Sequence, residues 1–228
     1  MSRDAMAVRA ASKSNAPEPP KDCPLCLRLV SFRNDNRTAH PDWFNGAVPS
    51  FGPHSAQLLI VGLAPGLKGA NRTGRPFLGD YAGELLYPTL LKAGLARGRH
   101  DPSAPEALEL VDCIISNAVR CVPPANLPTP LETATCNTFL TAELAGMPQL
   151  RAVLALGGTA HNAVLRANGL KPARVPFRHG AMHALPEDRV LVDSYHVSRL
   201  NTNTGRLTEA MFHAVVGGML DRLAQPPV

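Results

Sequence analysis

Four cysteines stand in two pairs, Cys23-x2-Cys26 and Cys121 with Cys136. Four thiolates suit a tetrahedral site that takes either zinc or an iron–sulfur cluster. A zinc ribbon repeats its C-x2-C knuckle. The second pair here instead brackets "RCVPPANLPTPLETATC", where prolines impose an irregular loop before a helix. Four unrelated buried thiols are the plain alternative. Cys113 lies inside an apolar run and reads as core.

The second concentration of chemistry is "GLAPGLKGANRTGRPFLGD", residues 62–80, with five glycines, two prolines, two arginines and one acid. Glycine lets a backbone approach a ligand closely. Asp80 closes the loop as its one carboxylate, and it also stands where it could cap a helix from 81 onward. Phe77 offers an aromatic face to a planar ligand, or simply packs in the core. Asn117, in "SNAVRC", carries an amide that both accepts and donates, toward a ligand or toward backbone. His196, in "SYHVSRLNTNTGRLT", offers an imidazole donor in either a functional or a structural role. Asn71, Arg72 and Arg75 rigidify the loop or touch an anion.

These groups must be positioned by regular elements. The runs "AQLLIVGLA" (56–64), "ALELVDCIISNAV" (107–119), "LRAVLALGG" (150–158) and "RVLVDSYH" (189–196) are continuously apolar. That is the pattern of parallel strands covered on both faces. Helix-like segments at 82–96, 131–147, 158–170 and about 208–223 alternate with them, and 172–185 reads as a hairpin. The alternation predicts an α/β fold of three layers, α/β/α, around a mainly parallel sheet. Ligands in such sheets bind at the carboxyl ends of the strands. The 62–80 loop, "SNAVRC" and the stretch from Ser194 all leave such ends, so one cleft is expected from the three.

A length of 228 residues suits one domain with a full core. Residues 1–20 read as a disordered tail, 21–228 as the single domain, and 21–50 as irregular structure pinned to its body. No apolar run reaches the roughly 18 residues of a membrane span. No secretory core is seen at the N-terminus, so a monomer in the cytoplasm, off the membrane, is expected. A net charge of +5 suits a polyanionic partner and equally a slightly basic enzyme surface. Neither GxxxxGK[ST] nor a G-x-G-x-x-G fingerprint occurs.

"GLAPG…GANRTGRPFLGD", "SNAVRCVPPANLPTPLETATC" and "HVSRLNTNTGRLT" together resemble, in order, the motifs of the uracil-DNA glycosylase superfamily. The resemblance spans about residues 21–222 and is strongest to the family 5, type B branch, which carries a [4Fe–4S] cluster. It implies a central four-stranded parallel sheet flanked by helices. It implies base excision repair of double-stranded DNA, in which a uracil is flipped out and its bond to deoxyribose is hydrolysed. Hypoxanthine and other deaminated or modified bases are further expected substrates. Cys23, Cys26, Cys121 and Cys136 become the ligands of a structural [4Fe–4S] cluster.

The same resemblance gives roles to single residues. The turn Gly62, Leu63, Ala64, Pro65, Gly66 presents amides to base and water. Phe77 stacks on the base. Asn117 reads the Watson–Crick edge of uracil, and His196 donates to the base O2 as charge builds there. Ser198, Arg199, Leu200 and Asn201 begin a loop that enters the minor groove, with Leu200 as wedge and Arg206 among the phosphate contacts; Asn201 and Thr204 alternatively hold the turn. Other branches place an acid or amide within the first turn. GLAPG has none, so Asp80 is expected to orient the water or stabilise the sugar cation. Leu78 stands where the family commonly has Thr, and Val197 where the superfamily usually has Pro, which predicts a less rigid turn. Lys68, in a variable-looking loop position, is the only lysine within the three motifs, so water rather than an amine is the expected nucleophile. A non-catalytic or covalent uracil-DNA binder is the alternative within the superfamily. Such relatives carry a basic insertion with a nucleophilic His, which "GLKGANRTGRP" lacks. An unrelated iron–sulfur or nucleotide-binding α/β protein is the alternative outside it.

Overall fold

A computed structural model describes residues 18–225. Most of the expected tail, 1–17, lies outside the described residues. Its last three residues are part of the body: Pro19 is buried, and Glu18 pairs with Arg120 at 3.3 Å.

The chain runs through α1 (Leu27–Ala39), β1 (Leu58–Gly62), the one-turn α2 (Ala70–Thr73), α3 (Gly83–Lys92), β2 (Ala96–Gly98) and β3 (Leu108–Leu110). It continues through β4 (Cys113–Asn117), α4 (Pro130–Ala145), β5 (Ala152–Leu156), α5 (Gly158–Ala167), β6 (Met182–Leu185), β7 (Arg189–Ser194), α6 (Arg199–Asn203) and α7 (Glu209–Ala224). The sheet order is β4-β1-β5-β7-β6. The four expected strands pair in parallel, and β6 adds a fifth, antiparallel to β7. The 172–185 stretch is therefore no hairpin by itself. Only its end is a strand, and its partner is β7.

Every residue of β1, β4 and β5 is buried, because helices cover both faces. Alternate residues point to opposite layers. Leu58, Ile60 and Ile115 pack with Leu86 and Leu90 of α3 and with Phe212 and Val216 of α7. Leu59, Val61 and Ile114 pack with Leu140 and Leu144 of α4 and Val164 of α5. The result is the expected three-layer α/β/α architecture. Among the described residues, no helix is long and apolar enough to cross a membrane.

Two segments depart from the expectation. The 107–119 run is two strands, because Asp112 takes a positive φ of 52°. Its carboxylate accepts from the Gln57 amide nitrogens of backbone and side chain, at 2.9 and 2.8 Å. The segment before the break pairs with β2, and the segment after it enters the sheet. Within 21–50, α1 replaces part of the expected irregular structure. Its buried stripe is Leu29, Arg33 and Asn36, helically spaced but mostly polar. Hydrophobic periodicity is blind to such a stripe.

The free edge of β4 is covered by Phe51, which exchanges two backbone bonds with Ile115, 2.8 and 2.9 Å. Beside it lies a buried polar network. Arg120, 2% exposed, donates to Glu143 at 2.9 Å, and Ser116 donates to the same carboxylate at 2.7 Å. Removing Glu143 leaves the buried Arg120 charge with only the partly exposed Glu18 at 3.3 Å. Glu143→Ala is therefore expected to destabilise the fold by about 3–5 kcal/mol. Glu143→Gln, which keeps the shape but also removes the charge, should cost nearly as much. Urea unfolding of both variants checks this, and a Gln variant as stable as the unsubstituted protein would refute the charge argument.

Candidate active site and cysteine centre

The sheet brings the candidate residues to one end. In the parallel register, Gly62 lies opposite Asn117. The ladder continues past both strands, with Ala118 N donating to Gly62 O at 2.9 Å and Val119 N to Leu63 O at 3.0 Å. The GLAPG turn is thereby laid along the start of "AVRC".

At this end space is the deciding quantity. A Cβ on Gly62 would fall 2.4 Å from Asn117 Oδ1 and 2.6 Å from the Phe77 ring. Only glycine lets those two side chains meet over the strand end. Asn117 is 3% exposed, and its Oδ1 has no hydrogen-bond partner among the described residues. An unmet buried acceptor is costly and marks a place built for a donor. Phe77 holds a left-handed φ of 60°, unusual for a bulky side chain. Its ring lies 6.2 Å from that of His196, at 29°.

Asp80 turns toward the loop, away from α3. The N-cap of α3 is Ala82, without a side-chain cap bond. The Asp80 carboxylate instead accepts from Ala70 N at 3.3 Å. It lies against the backbone of Gly66 and Gly69, where Cβ atoms would come within 2.3 and 1.9 Å of the carboxyl group. Burial raises its pKa, while the Ala70 and Gly66 amides, with Arg72, pull it down. The carboxylate and the GLAPG turn are thus in direct contact.

His196 follows β7. Burial lowers its pKa to about 4, so the imidazole is neutral at pH 7. The turn after it is firm without proline. Val197 is fully buried, and Asn201 Nδ2 donates to His196 O at 2.8 Å. Ser198 caps α6 by accepting from Asn201 N at 3.4 Å. Leu200 projects from α6 with 73% of its surface exposed. Arg199 lies over the Tyr81 ring at 4.8 Å. Arg206 shares a cleft with Leu63, Gly157, Phe177 and His196.

Of the supports of this site, Asn71 and Arg75 take the rigidifying role expected from the sequence, while Tyr81 and Asp193 were missed by sequence reasoning. Asn71 is fully buried and donates to Asn45 Oδ1 at 2.9 Å, so it stiffens the loop. Arg75 is held by the carbonyls of Pro105 and Leu108 and lies over Phe51, also a stiffening role. Tyr81 accepts from Thr202 at 3.3 Å and so links this loop to α6. On β7, buried Asp193 receives His161 at 2.7 Å and His183 at 3.0 Å. That knot carries no short-range motif.

Cys23, Cys26, Cys121 and Cys136 line one cavity with Leu29 and Phe139, far apart in sequence but together in space. No cysteine is in a disulfide, and Cys113 is fully buried in the core. Burial pushes Cys121 to about 12 and Cys136 to about 11, and raises Cys26. Thiols so placed ionise only beside a cation. Arg120 N also donates to Cys136 Sγ at 3.3 Å. Four sulfurs lining one cavity, two of them facing N–H donors, fit a thiolate-ligated metal group.

Residues 49–217 match the sequence pattern of the Uracil DNA glycosylase superfamily. The chain belongs to the uracil-DNA glycosylase superfamily. It is 46% identical to the Type-5 uracil-DNA glycosylase of Thermus thermophilus, over 85% of this chain and 90% of that protein. It is 42% identical to the Type-5 uracil-DNA glycosylase of Mycobacterium leprae, over 83% and 86% of the two chains. The Type-5 uracil-DNA glycosylase of Pyrobaculum aerophilum is 39% identical, over 82% and 83%. The superfamily match begins after the first cysteine pair, so Cys23 and Cys26 stand outside the matched residues.

Within this superfamily chain, the neutral state of His196 is directly measurable. Its ring should titrate near pH 4 in NMR, well below the ordinary value near 6.5. Protonation should appear only as pH falls through about 4. A midpoint near 6.5 would show that the ring is not desolvated.

Proposed function

We propose that the protein is a monofunctional uracil-DNA glycosylase acting in base excision repair on double-stranded DNA. Hypoxanthine and other deaminated bases are included as secondary substrates. The observation that carries this reading is the unpartnered Asn117 Oδ1, buried beside Gly62 and Phe77. Uracil N3–H is a donor that this oxygen can accept, and the Asn117 amide N–H₂ can then serve O4. Cytosine presents the reverse pattern there and would leave buried groups unpaired.

In this reading the flipped base stacks on Phe77. Breaking the C1′–N bond leaves negative charge on the base and positive charge on the sugar. His196, neutral, donates its N–H toward base O2, and the GLAPG amides add donors, so charge is met by dipoles fixed in advance. Asp80 orients the attacking water or stabilises the sugar cation. Leu200 fills the gap left in the duplex, while Ser198, Arg199, Asn201 and Arg206 meet the backbone. The four cysteines would hold a [4Fe–4S] cluster, which supplies structural cross-linking rather than catalysis. It would tie the chain before α1 to the 121–136 loop. The covalent-binder alternative lacks support, because the loop around Lys68 contains no histidine.

The test is cleavage of oligonucleotides holding U:G, U:A, single-stranded U, hypoxanthine:T or no lesion, with hot alkali to reveal abasic sites. Cutting at U:G and hypoxanthine, but not at the undamaged duplex, is expected. Asp80→Asn and His196→Ala should each slow single-turnover cleavage by about 10²–10³-fold. Gly69→Ala should approach the Asp80 effect, because its Cβ would lie 1.9 Å from the carboxyl carbon. Full activity in Asp80→Asn would remove Asp80 from the mechanism. An alkali-stable complex without cutting would favour the covalent binder.

A further inference from the structure

Arg33 is the buried charge that the proposed function leaves unexplained. It lies in the middle of α1 and is only 3% exposed. Among the described residues, no carboxylate comes within 4 Å of it. Asp35, two residues further on, is exposed and forms no ion pair with it, and Asp22, also exposed, pairs with Arg37. The Arg33 guanidinium instead donates to Cys23 O at 3.1 and 3.2 Å, and one of its nitrogens lies 3.9 Å from Cys121 Sγ. Its Nε is buried and has no partner. A buried guanidinium without an anion is strongly unfavourable. Arg120, the other buried arginine beside these cysteines, shows the contrast, for it has Glu143 and Glu18 as its own counter-charges.

We infer that Arg33 is the built-in counter-cation of an anionic group held by Cys23, Cys26, Cys121 and Cys136, and that it sets that group's charge balance. The inference rests on the cluster reading given above. Four thiolates outweigh the positive charge of an iron–sulfur core and leave net negative charge in a buried site. Arg33 supplies the opposite charge from inside the fold. The helix adds to it: Cys26 is the N-cap of α1, so the positive end of the helix dipole lies beside that sulfur. Reduction by one electron makes the group more negative, so a fixed cation favours the reduced form and raises the potential. An N–H donor to a ligand sulfur acts in the same direction. Arg33 is thus a positioning and tuning residue for the group, remote from the base site.

The test uses full-length protein, with iron content, visible absorbance and a mediated redox titration as readouts. Arg33→Met keeps the length and apolar stem but removes the charge. Arg33→Lys keeps the charge but removes the planar fork. Arg33→Met is expected to lose iron about tenfold faster in chelator, on the scale seen when outer-shell partners are removed. Its potential should be more negative than that of the unsubstituted protein. Arg33→Lys should retain iron and stay near the original potential. The lysine variant decides the matter even if the methionine variant fails to assemble the group. Lysine behaving as badly as methionine would show that shape, not charge, is at work. An unchanged potential and iron lifetime in Arg33→Met would reduce Arg33 to a packing residue. Colourless, iron-free unsubstituted protein would overturn the cluster reading and this inference with it.

Discussion

The pairing of β1 with β4 is the constraint on which both sites depend. It sets Gly62 opposite Asn117, and its ladder runs on through Leu63 and Val119. From there Arg120 and Cys121 follow directly in sequence. One register therefore fixes the buried amide, the glycine turn beneath it and the first cysteine of the second pair. A slip by one residue would turn Asn117 to the opposite layer and put Ser116 or Ala118 in its place. The continuous burial of both strands makes such a slip expensive, since it would exchange the two packed faces.

Around this register the loop 62–80 is shaped by what it leaves out. Gly62 leaves room for Asn117 and Phe77, and Gly66 and Gly69 leave room for Asp80. Phe77 gives up a relaxed backbone to hold its ring there, a cost of about 1–3 kcal/mol for such a conformation. Asn71, Arg75 and Tyr87 offset it by tying the loop to its surroundings, Tyr87 by donating to Pro76 O at 2.5 Å. Strain held by so many neighbours is a sign of preorganisation rather than of a poor fit.

Much of this was legible in the sequence, for definite reasons. Parallel strands covered on both faces leave uninterrupted apolar runs, so β1, β4, β5 and β7 stood out. Residues at the ends of such strands are few, so Asn117 and His196 could be singled out. The missing pieces are those in which polar groups do the packing. α1 buries Leu29, Arg33 and Asn36, and no apolar stripe announces it. The break at Asp112 depends on a positive φ and on an acceptor for Gln57, neither of which has a short-range signature. β6 lines up only after β7 exists to receive it. The direction of Asp80 was open in sequence because a cap and a loop contact look alike until Gly66 and Gly69 are folded beneath it.

The electrostatics of the candidate site extend the part played by those glycines. Partial burial moves His196 and Asp80 toward neutrality, lowering His196 to about 4 and raising Asp80. Where protein displaces part of the surrounding water, fixed dipoles take over part of the task of stabilising charge. The neutral imidazole keeps one N–H for donation. Asp80 keeps its carboxylate accessible because the Ala70 and Gly66 amides partly offset its desolvation. Those amides reach it only because positions 66 and 69 carry no side chain. The glycines of this loop are therefore electrostatic elements as much as steric ones: they bring backbone dipoles within reach of a charge that the pocket would otherwise quench.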